Sequence, residues 1–261
     1  MKSLIKLVFP VSSVDVDQVT LLAHRLASLG TLKERDVIFV YCWGDQWDVE
    51  RPFDVLTKAC RVVHKWILPD PPEGGRWPEA ANHMFYSTAE RLAEFHNKDP
   101  WMWFEGDCFP LKSDFLSQLE TEYETAQKPY MGAINTSRYL KPDGEQFEQG
   151  RHMVGAGIYP ADFTTRCGRI HFVPEKMPWD IWIEDEVVPD CHDTKLIFHA
   201  WNTGKYHLVD GELIGKDLAN TTGNKHQYGG RPVNHEAALL HGVKDPSLFK
   251  LDLSQWKGNV A

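Results

Sequence analysis

Apolar positions along the first hundred residues follow two alternating periods. Leu4 to Val11 is a nearly continuous apolar run, the signature of a strand buried on both faces. Immediately after it, Val19, Leu22, Ala23, Leu26 and Leu29 recur at helical spacing within Val16 to Leu29, and Gly30 closes the segment. Asp36 to Cys42 (DVIFVYC) supplies a second apolar strand and Arg61 to Leu68 (RVVHKWIL) a third. Beyond the turn-rich PDPPEGGRWP, the stretch from Pro78 to Asn97 carries Ala81, Phe85, Ala89, Leu92 and Phe95 on one helical face, then runs into the apolar strand Trp101 to Phe104. Strands alternating with helices predict an α/β fold: a mixed, mostly parallel central sheet flanked by helices.

The second half is less regular. Tyr130 to Ile134 reads as a short strand, Thr136 to Arg151 as a polar loop, and VGAGIYPADF (Val154 to Phe163) as a strand turning into a helix. Gly211 to Asn234, rich in Gly, Asn, Lys and Thr, reads as a mobile surface loop. There is no internal repeat. A length of 261 residues with 42% hydrophobic content can build one large core, so residues 1–261 are expected to form a single domain with halves meeting near residue 110.

Composition narrows the function classes. A net charge of -9 argues against gripping nucleic acid by bulk electrostatics. The five cysteines (Cys42, Cys60, Cys108, Cys167, Cys191) are odd in number and form no C-x-x-C pair, which fits a reducing compartment. Met1 to Pro10 lacks a signal-peptide pattern, and no run of about 18 apolar residues occurs. The expectation is a cytoplasmic protein without a membrane anchor. Ten tryptophans and eight tyrosines suit stacking on bases or sugar rings, and equally suit ordinary packing. Neither G-x-G-x-x-G nor G-x-x-x-x-G-K-[ST] follows the first strand, and G-x-S-x-G is absent.

The chemistry concentrates in WMWFEGDCFPLKSD, residues 101–114. Its apolar run stops at two carboxylates, Glu105 and Asp107, separated by Gly106. In an open α/β sheet the end of such a strand faces a ligand crevice, and paired carboxylates there favour a hard divalent cation, commonly accompanied by phosphate oxygens. Ser113 or Asp114 would then cap the next helix. Further on, PWDIWIEDEVVPD gathers Asp180, Glu184, Asp185, Glu186 and Asp190, with Trp179 and Trp182 as possible ring faces for a sugar or base. LLHGVKD places His241 three residues before Lys244.

In their order along the chain these elements resemble the GT-A glycosyltransferases, with the likeness running from about residue 4 to about residue 245. Glu105 stands where the first acid of the family's D-x-D element is usually aspartate. HGVK resembles the family's H-x-G-x-K element, although Gly242 here follows the histidine directly. The resemblance implies a Rossmann-like GT-A domain with a nucleotide-binding half over about 1–110 and an acceptor-binding half over about 111–261. It implies Mn²⁺ or Mg²⁺ on Asp107, Glu105 and His241, and a nucleotide-diphosphate sugar as donor, UDP-sugars being favoured. Pro10, Val11, Ser12 and Asn82 would contact the nucleotide, Lys244 the diphosphate, and Gly155 and Gly157 would allow close approach of the donor sugar. The E-D pair Glu184 and Asp185 would lie at the acceptor, Asp185 acting as base in an inverting transfer. The acceptor hydroxyl stays open among a glycan, a protein, a small molecule and a hydroxylated DNA base. Lys216, Lys225, His226 and Arg231 keep the last in view. Two other readings remain: a nucleotidylyltransferase of related fold, although no Gly-rich, Arg/Lys-containing loop follows the first strand, and a non-catalytic sugar- or protein-binding module.

Overall fold

The computed structural model describes residues 5–45, 48–71, 77–95, 98–140, 147–200, 203–217 and 231–259. The first strand, β1 (Lys6–Pro10), leads to helix α1 (Val16–Leu29), and then come β2 (Asp36–Cys42), α2 (Glu50–Ala59), β3 (Val62–Leu68), α3 (Glu79–Phe95) and β4 (Trp101–Trp103). Gly30 ends α1 in the left-handed region, φ 67°, its N–H reaching the carbonyls of Leu26 and Ala27. There follow β5 (Phe109–Pro110), α4 (Phe115–Ala126), β6 (Tyr130–Gly132), β7 (Ile134–Leu140), β8 (Phe147–Met153) and β9 (Ile158–Tyr159). Short helices α5 (Phe163–Arg166), α6 (Trp179–Trp182) and α7 (Glu184–Val187) precede β10 (Cys191–Asp193), β11 (Ile197–His199), β12 (Thr203–Val209), β13 (Glu212–Asp217), β14 (Arg231–Pro232) and β15 (Leu239–His241).

Seven strands form the central sheet in the order β10-β6-β9-β4-β1-β2-β3. All its pairings are parallel except the two made by β9, so the sheet is mixed and mostly parallel, as the periodicity predicts. Successive residues of each strand serve opposite layers. Leu7 and Phe9 of β1, Val37, Phe39 and Tyr41 of β2, and Met102 of β4 pack with α1 and α4. Val8, Ile38, Val40, Trp101 and Trp103 pack with α3 and the 163–187 segment on the other face. A third core lies under β12, β13 and the C-terminal segment and contains the buried Trp256.

Several expectations need correcting. Thr136 to Arg151 is not a loop: β7 and β8 pair antiparallel from Ile134 opposite Met153 to Leu140 opposite Phe147. The 211–234 segment contains β13 and β14, paired through Ile214 with Pro232 and Gly215 with Arg231. Lys225 and His226 lie outside the described residues, as do Leu4 and Arg76. Phe95, on the apolar stripe of α3, is not part of the core: it is 61% exposed, with the Arg91 guanidinium 6.0 Å from its ring. Helix α2 was not foreseen at all. All five cysteines are free, and no helix among the described residues is long and apolar enough to cross a membrane.

Phe85 is the hub of the α3 layer. Its ring stacks on Trp179 with centroids 3.4 Å apart and meets Trp101, Trp103, Tyr159 and Phe163 within 5.5 Å. Removing it opens a cavity lined by five aromatic rings that cannot collapse together. Phe85→Ala is therefore expected to cost about 3–5 kcal/mol in urea unfolding, and a loss below about 1 kcal/mol would show that this cluster is not a cooperative part of the core.

Candidate active site

The two carboxylates emerge where β4 leaves the sheet. Phe104 still donates its N–H to Val8 O at 2.8 Å, and Cys108 N–H closes a turn onto Glu105 O at 3.0 Å. Gly106 allows α1 to pack against this turn: a Cβ there would stand 2.7 Å from Val19 Cγ2. Strand β5 then pairs antiparallel with β15, Phe109 opposite Leu240, which brings in the next residue of β15, His241. The backbone is stitched again by Val243 N–H to Asp107 O at 2.9 Å.

His241, 6% exposed, points Nε2 at both acids, 2.7 Å from Glu105 Oε2 and 3.4 Å from Asp107 Oδ1. Lys244 Nζ donates to Asp107 Oδ2. Burial alone would push the Asp107 carboxyl up, but the charges of His241 and Lys244 outweigh it and hold it below the usual range. The reverse balance holds the His241 imidazolium and the Lys244 ammonium: burial lowers both, and Asp107 more than offsets it with help from Glu105. One ligand atom from each of Glu105, Asp107 and His241 lies within 4.8 Å of the others, and Asp107 Oδ1 is buried without a hydrogen-bond donor. Two hard oxygens and an imidazole around an unsatisfied carboxylate oxygen fit a divalent cation such as Mn²⁺ or Mg²⁺.

The walls of the site come from the 152–155 segment, α6 and the turn before α1. Gly155 lies against Glu105: a Cβ would fall 2.5 Å from Oε1, so the bare backbone is what lets the carboxylate keep its position. Asp180, in the first turn of α6, has Oδ2 3.9 Å from His152 Nε2 and is 21% exposed, while its Oδ1 accepts the Ile181 N–H at 3.0 Å. Burial and then the charge of Glu105 push the Asp180 carboxyl up to about 7. His152 is pushed down to about 4 by burial and then by His241. Asp15 also borders the acids: partial burial raises its carboxyl, the Ser12 hydroxyl lowers it, and Asp107 raises it further.

The expected nucleotide and acceptor residues are distributed as follows. Pro10 is half-buried at the end of β1. Val11 is buried, its N–H on Val40 O. Ser12 Oγ donates to Asp15 Oδ2 at 2.7 Å. Asn82 has both amide groups committed: Nδ2 donates to Met177 O and Oδ1 accepts from Trp179 N–H, each at 2.9 Å. It clamps the segment leading to Asp180, because a buried amide must satisfy both ends. Trp179 is likewise core, 5% exposed on Phe85. Trp182 donates its indole N–H to Arg169 O, and the Arg169 guanidinium lies 4.5 Å over its ring. Glu184 is half-buried at the start of α7. The Asp185 side chain is 74% exposed and paired with Arg169 at 2.5 Å. Asp180 lies in the field of Glu105 and His241. In the sequence it is one of five acids in the 178–190 segment, with nothing to set it apart from the others.

The seven-strand, mostly parallel central sheet flanked by helices matches the fold of GT-A glycosyltransferases. Among solved structures, the chain is similar to the galactosyltransferase LgtC in complex with donor and acceptor sugar analogs, with TM-score 0.53, 11% identity, 97% of this chain and 92% of that chain covered. It is also similar to apo WbbM, a bifunctional glycosyltransferase, with TM-score 0.53, 9% identity, 92% of this chain and 46% of that one covered. At such identities the likeness is one of fold. No protein-family model and no curated protein matches the sequence.

Asp180 has a measurable signature apart from activity. Its folded-state carboxyl titrates at about 7 against an ordinary value of 3.8, so between those values the folded protein holds the extra proton and stability falls as pH rises. Asp180→Asn keeps an acceptor for Ile181 and removes the charge. Its melting temperature relative to wild type should climb from about pH 4 to about pH 7. A difference that stays constant across that window would count against a buried, proton-holding Asp180.

Proposed function

We propose that this protein is a metal-dependent glycosyltransferase, moving a sugar from a nucleotide-diphosphate sugar, with UDP-sugars favoured, to an acceptor hydroxyl. The observation that carries this reading is the Glu105, Asp107 and His241 group, with Lys244 beside it, at the end of β4 in a GT-A fold. The structural neighbours support it: one is a galactosyltransferase holding donor and acceptor sugar analogs, the other a bifunctional glycosyltransferase.

In this reading Glu105, Asp107 and His241 hold Mn²⁺ or Mg²⁺. The cation, when bound, neutralises the diphosphate so that it can depart. Lys244 adds a positive charge for the same leaving group. Residues to about 110 form the nucleotide half, with Pro10 and Ser12 at the nucleoside and the buried Val11 behind them, and the remainder holds the acceptor. The base that receives the acceptor proton as its oxygen attacks the anomeric carbon is Asp180 rather than Asp185. Asp180 sits beside His152 in the field of Glu105 and His241, at the site where an acceptor hydroxyl needs a carboxylate within reach, whereas Asp185 is exposed and engaged by Arg169. A base in that role implies inversion, and a product of retained configuration would set it aside.

Two measurements test this. Calorimetric titration with UDP, GDP, CDP and their sugars, with and without Mn²⁺, should show one nucleotide binding in a Mn²⁺-dependent way that Asp107→Ala abolishes. No response to any nucleotide would return the chain to the non-catalytic binding module. With the donor in hand, Asp180→Asn should lower kcat by about 10²–10⁴-fold while nucleotide affinity holds, and Asp185→Asn should leave kcat close to wild type. The opposite ranking would restore Asp185 as the base.

A further inference from the structure

Strand β11 runs parallel to β15 with His199 directly opposite His241. The two imidazoles meet Nδ1 to Nδ1 at 3.1 Å with their planes tilted by 37°. The adjoining Ala200 N–H donates to His241 O at 2.6 Å, so the backbones carrying the rings are locked as well. A nitrogen-to-nitrogen hydrogen bond uses one proton and one lone pair, and the network assigns which ring supplies which. His241 directs Nε2 at Glu105 and Asp107. For that nitrogen to offer a lone pair to a cation, the proton of a neutral His241 must stay on Nδ1, and His199 Nδ1 is the acceptor placed there.

We propose that His199 is a positioning residue of the cation group: by accepting the His241 Nδ1 proton it fixes both the tautomer and the ring orientation that reserve Nε2 for a divalent ion. Hydrogen-bond partners of this kind fix the tautomer and ring orientation of a ligating histidine, and losing one typically weakens metal affinity by about 10–100-fold. The inference rests on the reading of Glu105, Asp107 and His241 as a cation site. It adds a residue that no motif marks, 42 positions from the histidine it serves.

The test is Mn²⁺ affinity, read by electron paramagnetic resonance of free Mn²⁺ during titration of the full chain with the metal alone, alongside melting temperature. His199→Leu removes the acceptor, and His199→Asn keeps an acceptor oxygen close to the Nδ1 position. The leucine variant should bind Mn²⁺ about 10–100-fold more weakly and the asparagine variant close to wild type, even where both lose similar thermal stability. Equal affinity in the leucine variant and wild type would overturn the assignment, as would an asparagine variant as weak as the leucine one. If the leucine variant does not fold, His199→Ala takes its place with the same expectation. A wild type that does not bind Mn²⁺ would instead overturn the cation reading on which the inference stands.

Discussion

Asp107 carries its negative charge at the end of a buried strand, and the surrounding structure is organised to let it. A carboxylate there is tolerable only with positive charge close by. That charge comes from the far end of the chain: His241 on β15 and Lys244 just beyond it. This explains why the small sheet β11-β15-β5 exists. Its two-residue strand β5 begins only two positions after Asp107 and pairs with β15 before the chain turns into α4. The same segment is anchored from another side by Gln18 Nε2, which donates to Val243 O at 2.9 Å.

The parts of the fold that could be read from sequence are those whose burial pattern is local. Helix α1 and strand β2 have the bounds their apolar periods predict, because each packs one continuous stripe or both faces against the main core. Helix α2 escaped notice because only Pro52, Leu56 and Ala59 of its ten residues are buried. The β7-β8 hairpin stands apart from the central sheet, so its polar sequence shows no two-sided apolar run. The acid pair was legible for a different reason: Glu105 and Asp107 interrupt an apolar strand, and an interruption is visible without knowing what faces it. Whether Asp180 or Asp185 faces inward was not legible. That choice depends on which way a short helical segment is turned, and Asn82, 95 residues from Met177 in sequence, holds that segment.

The aromatic load was the most ambiguous signal, and much of it belongs to the interior. Trp101, Trp103 and Trp179 surround Phe85, and Trp256 fills the C-terminal core, all of them buried. The stacked Trp179 is nonetheless next to Asp180 in sequence. Packing in the α3 layer thereby orients the carboxylate of the adjoining residue, and the aromatic core acts on the site through the backbone rather than by touching a ligand.

Gly155 gives the site a property of a different kind. A side chain at this position would meet the carboxylate end of Glu105 before anything else. The placing of one acid of the site is thereby tied to a residue that has no functional group of its own.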